Sequence, residues 1–157
     1  MGINMNRNVT PYSQLKIFHH KELLGKLEAD ERCNPLYIRI KPTNVCNHNC
    51  YYCHYKNPYL TLDEYNPKDM IPREKMLEIV DDMKKMGVKA VTFSGGGEPL
   101  VYPYIAETME KVLDAGIDLS IITNGSMLKG RNAELLAKAK WVRISIDSIN
   151  PSNYATI

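Results

Sequence analysis

The stretch Ala90-Val91-Thr92-Phe93-Ser94-Gly95-Gly96-Gly97-Glu98-Pro99 decides the fold. Val91 and Phe93 alternate with Thr92 and Ser94, the period of a strand with one apolar and one polar face, and the strand runs directly into a glycine-rich loop. Upstream, a helix opens with Pro72, suited to the first helical position, carries Met76, Ile79, Val80 and Met83 on one face, and stops at Gly87. Downstream, a helix over 103–115 turns Ile105, Met109, Val112 and Leu113 inward and ends at Gly116. Further strands read at 36–42, 118–123 and 141–147, which with 89–94 makes four, and a weaker helix spans 131–139. Strand, loop and helix repeated in this order predict an α/β fold of parallel strands joined by crossovers.

The strand faces separate two versions of that fold. An open parallel sheet covered on both sides reads as nearly continuous apolar runs. Here Ile38 and Ile40 alternate with Arg39 and Lys41, and Val142, Ile144 and Ile146 alternate with Arg143, Ser145 and Asp147. The 118–123 strand is less clean, because Ile122 shares a face with Ser120 and Asn124. An apolar outer face under helices and a polar inner face around a ligand describe a partial (β/α) barrel of about four units. The other reading is a sheet exposed on one side.

Composition bounds the rest. A chain of 157 residues suits one compact core, and 44% apolar with 24% charged residues is the balance of a globular protein. Residues 1–35 read as a helical appendage, with a helix over 13–28 carrying Leu15, Phe18, Leu23, Leu24 and Leu27 around Gly25; residues 36–157 read as the core. A net charge of +2 from 20 basic and 18 acidic side chains leaves no electrostatic footprint for nucleic acid or an anionic membrane. The N-terminus lacks the apolar segment of a signal peptide, and no apolar run reaches membrane-spanning length, so a cytoplasmic location is expected.

The chemistry concentrates in Cys46-Asn47-His48-Asn49-Cys50-Tyr51-Tyr52-Cys53, at the C-terminal end of the first strand, where parallel α/β proteins bind ligands. Three cysteines within eight residues are too crowded for a disulfide framework and point to metal. Three thiolates on one loop can each take one iron of a cubane and leave a fourth iron open, and that incomplete ligation points to catalysis. A Cys3His zinc site recruiting His48 or His54 is the competing reading, although structural zinc usually staples two separated ligand pairs. Cys33 lies before the first strand and reads as a buried or partly buried free thiol, and His19, His20, His48 and His54 as surface or packed histidines.

The second signal is the loop Ser94-Gly95-Gly96-Gly97-Glu98-Pro99, at the same end of the next strand. Three glycines remove side chains where a backbone must approach a ligand, and Pro99 fixes the exit. No Gly-Lys-Ser/Thr follows, which rules against a phosphate loop, and the spacing is not a dinucleotide fingerprint. Arg39, Lys41 and Arg143 share the inward parity and could hold an anionic group or lie at the surface.

Cys-x3-Cys-x2-Cys after the first strand together with Gly-Gly-Glu-Pro after the second resembles the radical S-adenosylmethionine superfamily over about residues 36–150. The resemblance implies an oxygen-sensitive 4Fe-4S cluster on Cys46, Cys50 and Cys53, with S-adenosylmethionine chelated to the open iron and cleaved reductively to a 5′-deoxyadenosyl radical that abstracts hydrogen from substrate. It implies Tyr52 beside the adenine, the Ser94, Gly96 and Gly97 segment and the Glu98 side chain around the methionine amino group, and Asn124, Ser145 and Asp147 as further cofactor contacts. An electron donor such as flavodoxin or ferredoxin follows from it too. The family core has six strands where four are read here, so the chain is expected to be truncated. The fourth strand is then an open edge that a partner chain could cover. A catalytically incompetent cofactor-binding remnant stays open, as does the substrate.

Overall fold

The computed structural model describes Phe18, residues 20–56 and residues 65–155. The chain divides into residues 1–34 and residues 35–157. In the first unit, helix α1 (Lys21–Glu28) has no buried residue, and the unpaired Cys33 is half-buried. The 13–17 part of the helix expected there lies outside the described residues.

The second unit is α/β, as expected. Strand β1 (Tyr37–Ile40) is followed by α2 (Arg73–Met86), β2 (Ala90–Phe93), α3 (Ile105–Asp114), β3 (Asp118–Thr123), α4 (Gly130–Leu136), β4 (Trp141–Ile144) and a single turn, α5 (Pro151–Tyr154). All pairings are parallel and the order across the sheet is β1-β2-β3-β4. Register places Ile38, Val91 and Leu119 side by side, and likewise Ile40, Phe93 and Ile121. These side chains form one apolar face and cluster with Met76, Val80 and Met83 of α2, Ile105, Met109 and Val112 of α3, and Leu135 and Leu136 of α4. Each such side chain, withdrawn from water, contributes about 1.5–3 kcal/mol. The opposite face aligns Arg39 with Thr92 and Thr92 with Ser120. Thr92 Oγ1 on that face is buried with no hydrogen-bond partner.

The element ends differ from expectation in ways that have causes. Pro72 caps α2 from an extended conformation with ψ 147°, so the helix begins one residue later, at Arg73. Gly87 ends that helix with φ 73°, a left-handed geometry that spares glycine the Cβ clash. Strand β4 stops at Ile144, and after Ser145 N–H donates to the Thr123 carbonyl at 2.8 Å the chain leaves the ladder. Among the described residues β4 has a neighbour on one side only, and Ile144 and Ile146 remain 42% and 63% exposed. Residues 99–101 form a 3-10 turn before α3, on which the Glu98 carboxylate acts as cap.

Candidate functional site

The site is built where the loops after β1 and β2 meet. Ser94 N–H donates to the Ile40 carbonyl at 3.0 Å, Gly97 N–H to Thr43 at 2.9 Å and Glu98 N–H to Val45 at 2.9 Å. The sheet pairing therefore continues past the strands as a loop-to-loop ladder. Steric contact explains the glycines. A Cβ on Gly96 would stand 2.2 Å from Asn44 Oδ1, and one on Gly97 would stand 2.0 Å from the Val45 carbonyl oxygen. The close approach that the glycines permit is thus to the neighbouring loop, in addition to any ligand. On its far side the same strip is held by Asn44 N–H to the Asp69 carbonyl at 2.8 Å and Asn44 Nδ2 to the Asn66 carbonyl at 2.8 Å. An antiparallel bridge between Thr43 and Met70 completes that side.

Cys46 leaves this clamped strip, and Cys50 and Cys53 follow in a compact turn in which Cys53 N–H donates to the Cys50 carbonyl and Lys56 N–H to the Cys53 carbonyl, both at 3.0 Å. All three thiols are unpaired and half-buried. His48 N–H reaches Cys46 Sγ at 3.5 Å. Among the described residues no three His, Cys, Asp or Glu side chains converge on one ion-sized centre. His54 is exposed and packs edge-on against Tyr55, while His48 packs edge-on against Tyr154. Three free soft donors on one main-chain-anchored loop fit a cluster whose irons each take a single thiolate.

The β3 end closes on this loop. Glu98 is 3% exposed and turned inward. Its Oε1 accepts from Leu100 N–H at 3.0 Å and Thr123 Oγ1 at 2.6 Å, and its Oε2 from Asn124 N–H at 2.7 Å. The side chain expected to meet a ligand is thus a strut between the glycine loop and β3, with three protein donors on it. The Asn124 side chain, expected at the cofactor, donates from Nδ2 to Asn47 Oδ1 at 3.0 Å. Asp147, three residues beyond β4, is the main influence that raises the pKa of the Tyr52 phenol, followed by desolvation and the Cys50 thiol. Ser94 is buried at the end of β2, while Arg143 and Ser145 are exposed on β4 and just beyond it. Arg39 is exposed, and Lys41 donates to the Tyr55 hydroxyl at 2.7 Å.

Among the described residues, one cleft touches the cysteine loop at His48 and another lies beside the strip that precedes the loop. One of about 570 Å³ is lined by His48, Asn124, Ser126, Ile144, Ile146 and Tyr154. The other, of about 430 Å³, lies beside Lys41, Asn44, Asp69, Ile71, Lys75 and Ile79. Sequence reasoning missed Tyr65, whose hydroxyl donates to the Asn44 carbonyl at 3.3 Å. Burial, then the neighbouring Cys53 and Cys46 thiols, raises its pKa. It missed Asn44, Asn47 and Ser126 as well, since asparagine and serine in a loop carry no periodic signal.

Known proteins resemble this chain in fold and in sequence. The structure is similar to that of SuiB from Streptococcus suis bound to S-adenosylmethionine, with a TM-score of 0.58 and 25% identity over 80% of this chain and 28% of that one. In sequence the chain is 38% identical over 125 residues to a GTP 3′,8-cyclase of Alkaliphilus oremlandii, covering 77% of this chain and 38% of the relative. It is 36% identical over 108 residues to an S-adenosylmethionine-dependent nucleotide dehydratase of Flammeovirga pacifica, covering 68% of this chain and 37% of the relative. The chain thus spans less than two fifths of the length of these curated relatives. Residues 40–157, from the end of β1 through both loops and all later strands, match the family model of the radical SAM superfamily, and to that superfamily the chain belongs.

Proposed function

We propose that this chain is the cofactor-binding part of an enzyme in which Cys46, Cys50 and Cys53 hold a 4Fe-4S cluster that, when bound, supplies the electron for cleaving S-adenosylmethionine to a 5′-deoxyadenosyl radical. The observation that carries the reading is the ladder from Gly97 and Glu98 to Thr43 and Val45, which brings three free thiols and the glycine backbone to one end of adjacent strands. In this reading Ser94, Gly96 and Gly97 offer main-chain groups to the methionine end of the cofactor. Glu98 acts through the backbone it fixes at Asn124. Tyr52, Asp147 and Ser145 border the adenosine end. The cleft of about 570 Å³ beside Asn124 is of a size for a nucleoside. An electron donor of the flavodoxin or ferredoxin kind serves the cluster. The names of the relatives, a GTP cyclase and a nucleotide dehydratase, favour a nucleotide as the substrate from which hydrogen is abstracted.

The test is anaerobic reconstitution with iron and sulfide, then iron quantitation and detection of 5′-deoxyadenosine after adding reductant and S-adenosylmethionine. Four irons and deoxyadenosine above a Cys50→Ala control are expected. Iron without deoxyadenosine would favour the cofactor-binding remnant, and stoichiometric zinc with no reconstitutable cluster would overturn the assignment.

A further inference from the structure

Between Cys46 and Cys50, the side chain of Asn47 belongs to a closed ring of three hydrogen bonds. Asn124 Nδ2 donates to Asn47 Oδ1 at 3.0 Å, Asn47 Nδ2 donates to Ser126 Oγ at 2.7 Å, and Ser126 Oγ donates to Asn124 Oδ1 at 2.7 Å. Every member gives one bond and takes one in the same sense around the ring, the arrangement in which neighbouring bonds polarise and strengthen one another. The ring is anchored from below. Asn124 is fixed by its own N–H on the buried Glu98 carboxylate at 2.7 Å, and Ser126 N–H returns to Asn124 Oδ1 at 3.0 Å. The three residues come from positions 47, 124 and 126, so the ring is a tertiary link between the cysteine loop and the turn after β3.

We infer that Asn47, locked through this ring to Asn124 and Ser126, is a positioning residue that holds the Cys46–Cys50 arm of the loop against the end of β3 and so slows loss of the cluster. The inference rests on the cluster reading above. It gives Asn124 a task different from touching the cofactor, since both ends of its amide are already engaged within the protein. The ladder to the glycine loop grips the chain only as far as Val45, and the turn at 50–56 grips it from Cys50 onward. Two side-chain hydrogen bonds of Asn47 tie the arm between these grips to the turn after β3.

Ser126 is the place to test this, because it is exposed and distant in sequence from the cysteines. Ser126→Ala removes two of the three ring bonds, and Ser126→Thr keeps the hydroxyl. In the metal-free chain, hydrogen exchange of the amides at 46–50 is expected to rise about tenfold in the alanine variant and to return to the wild-type rate in the threonine variant, at unchanged melting temperature. In the reconstituted chain, iron loss to a chelator is expected to accelerate several-fold for alanine and not for threonine. Equal exchange and equal iron loss across all three chains overturn the ring's role while leaving the cluster reading intact. A wild-type chain that takes up no cluster brings down the cluster reading and this inference with it, whatever the exchange rates show.

Discussion

Gly97→Ala is the sharpest test of the loop-to-loop contact. Its added Cβ would meet the Val45 carbonyl oxygen at 2.0 Å and the Asn44 and Val45 carbonyl carbons at 2.5 Å, all of them main-chain atoms that cannot rotate aside. Relief requires the cysteine loop to retreat by about 1 Å or more to restore ordinary contact near 3.5 Å. That retreat breaks the bonds from Gly97 to Thr43 and from Glu98 to Val45. Two lost bonds at about 1 kcal/mol each and overpacking of about 1–3 kcal/mol give a total near 3–5 kcal/mol. The control is Gly87→Ala, where φ is 73° and no atom lies within 4 Å of the new Cβ, so only backbone strain of about 1–2 kcal/mol applies. Urea denaturation of both variants should show Gly97→Ala less stable by about 2 kcal/mol, or about 4–8 °C in melting temperature for a chain of this size. Reconstitution should follow the same order, with Gly97→Ala losing iron uptake and Gly87→Ala retaining it. Equal destabilisation in the two variants, with equal iron uptake, would refute the argument that packing between the loops requires glycine.

Other expectations follow from single contacts. Glu98→Gln puts an amide N–H where the buried carboxylate accepts three donors and should cost about 1–3 kcal/mol in urea unfolding. Tyr102→Phe strips the Ile71 carbonyl of the 2.7 Å bond it receives from a buried hydroxyl, and should lower stability by about 1 kcal/mol without affecting iron uptake. Glu107 is held below the ordinary carboxylate range chiefly by its hydrogen bond from Arg73, which donates through Nε at 2.7 Å. A depressed folded-state pKa means that this pair's contribution is present above the unfolded carboxylate value and is lost as pH falls through the folded one. Wild type and Glu107→Gln should therefore differ in urea midpoint at pH 7 and converge on acidification, whereas a difference that persists at pH 2 would contradict the assignment.

The fold was legible because its signals are periodic. Val91 and Phe93 against Thr92 and Ser94, and Met76, Val80 and Met83 on one side of a helix, are patterns that burial imposes on any sequence with this architecture. The position of the thiols was legible for a related reason: a strand ending at Ile40 must deliver Cys46 to the ligand-binding end of a parallel sheet. The contacts that knit the site were not. Glu98 reads in sequence as a carboxylate beside a glycine loop, expected at the cofactor's methionine amino group, and only the fold shows it buried beneath the β3 end. Asn47 and Ser126 are 79 residues apart, and nothing local marks either as the other's partner. Strand ends were overestimated where pairing, not propensity, sets the limit: residues 145–147 continue the alternation, yet among the described residues no strand flanks them on the outer side.

The strand order carries a consequence for how the site comes into being. Because β1 to β4 lie in the sheet in the order in which they occur in the chain, each pairing joins nearest neighbours in sequence, the lowest-contact-order solution for a parallel sheet. The two loops that frame the thiols belong to the first pair. Their ladder needs nothing beyond Glu98, so it is built entirely from segments that precede β3 and β4 in the chain. Asn124, from the turn after β3, adds a longer-range contact to that loop. The cysteine-bearing end thus combines a cradle of contacts between sequence-adjacent strands with a grip supplied from further along the chain.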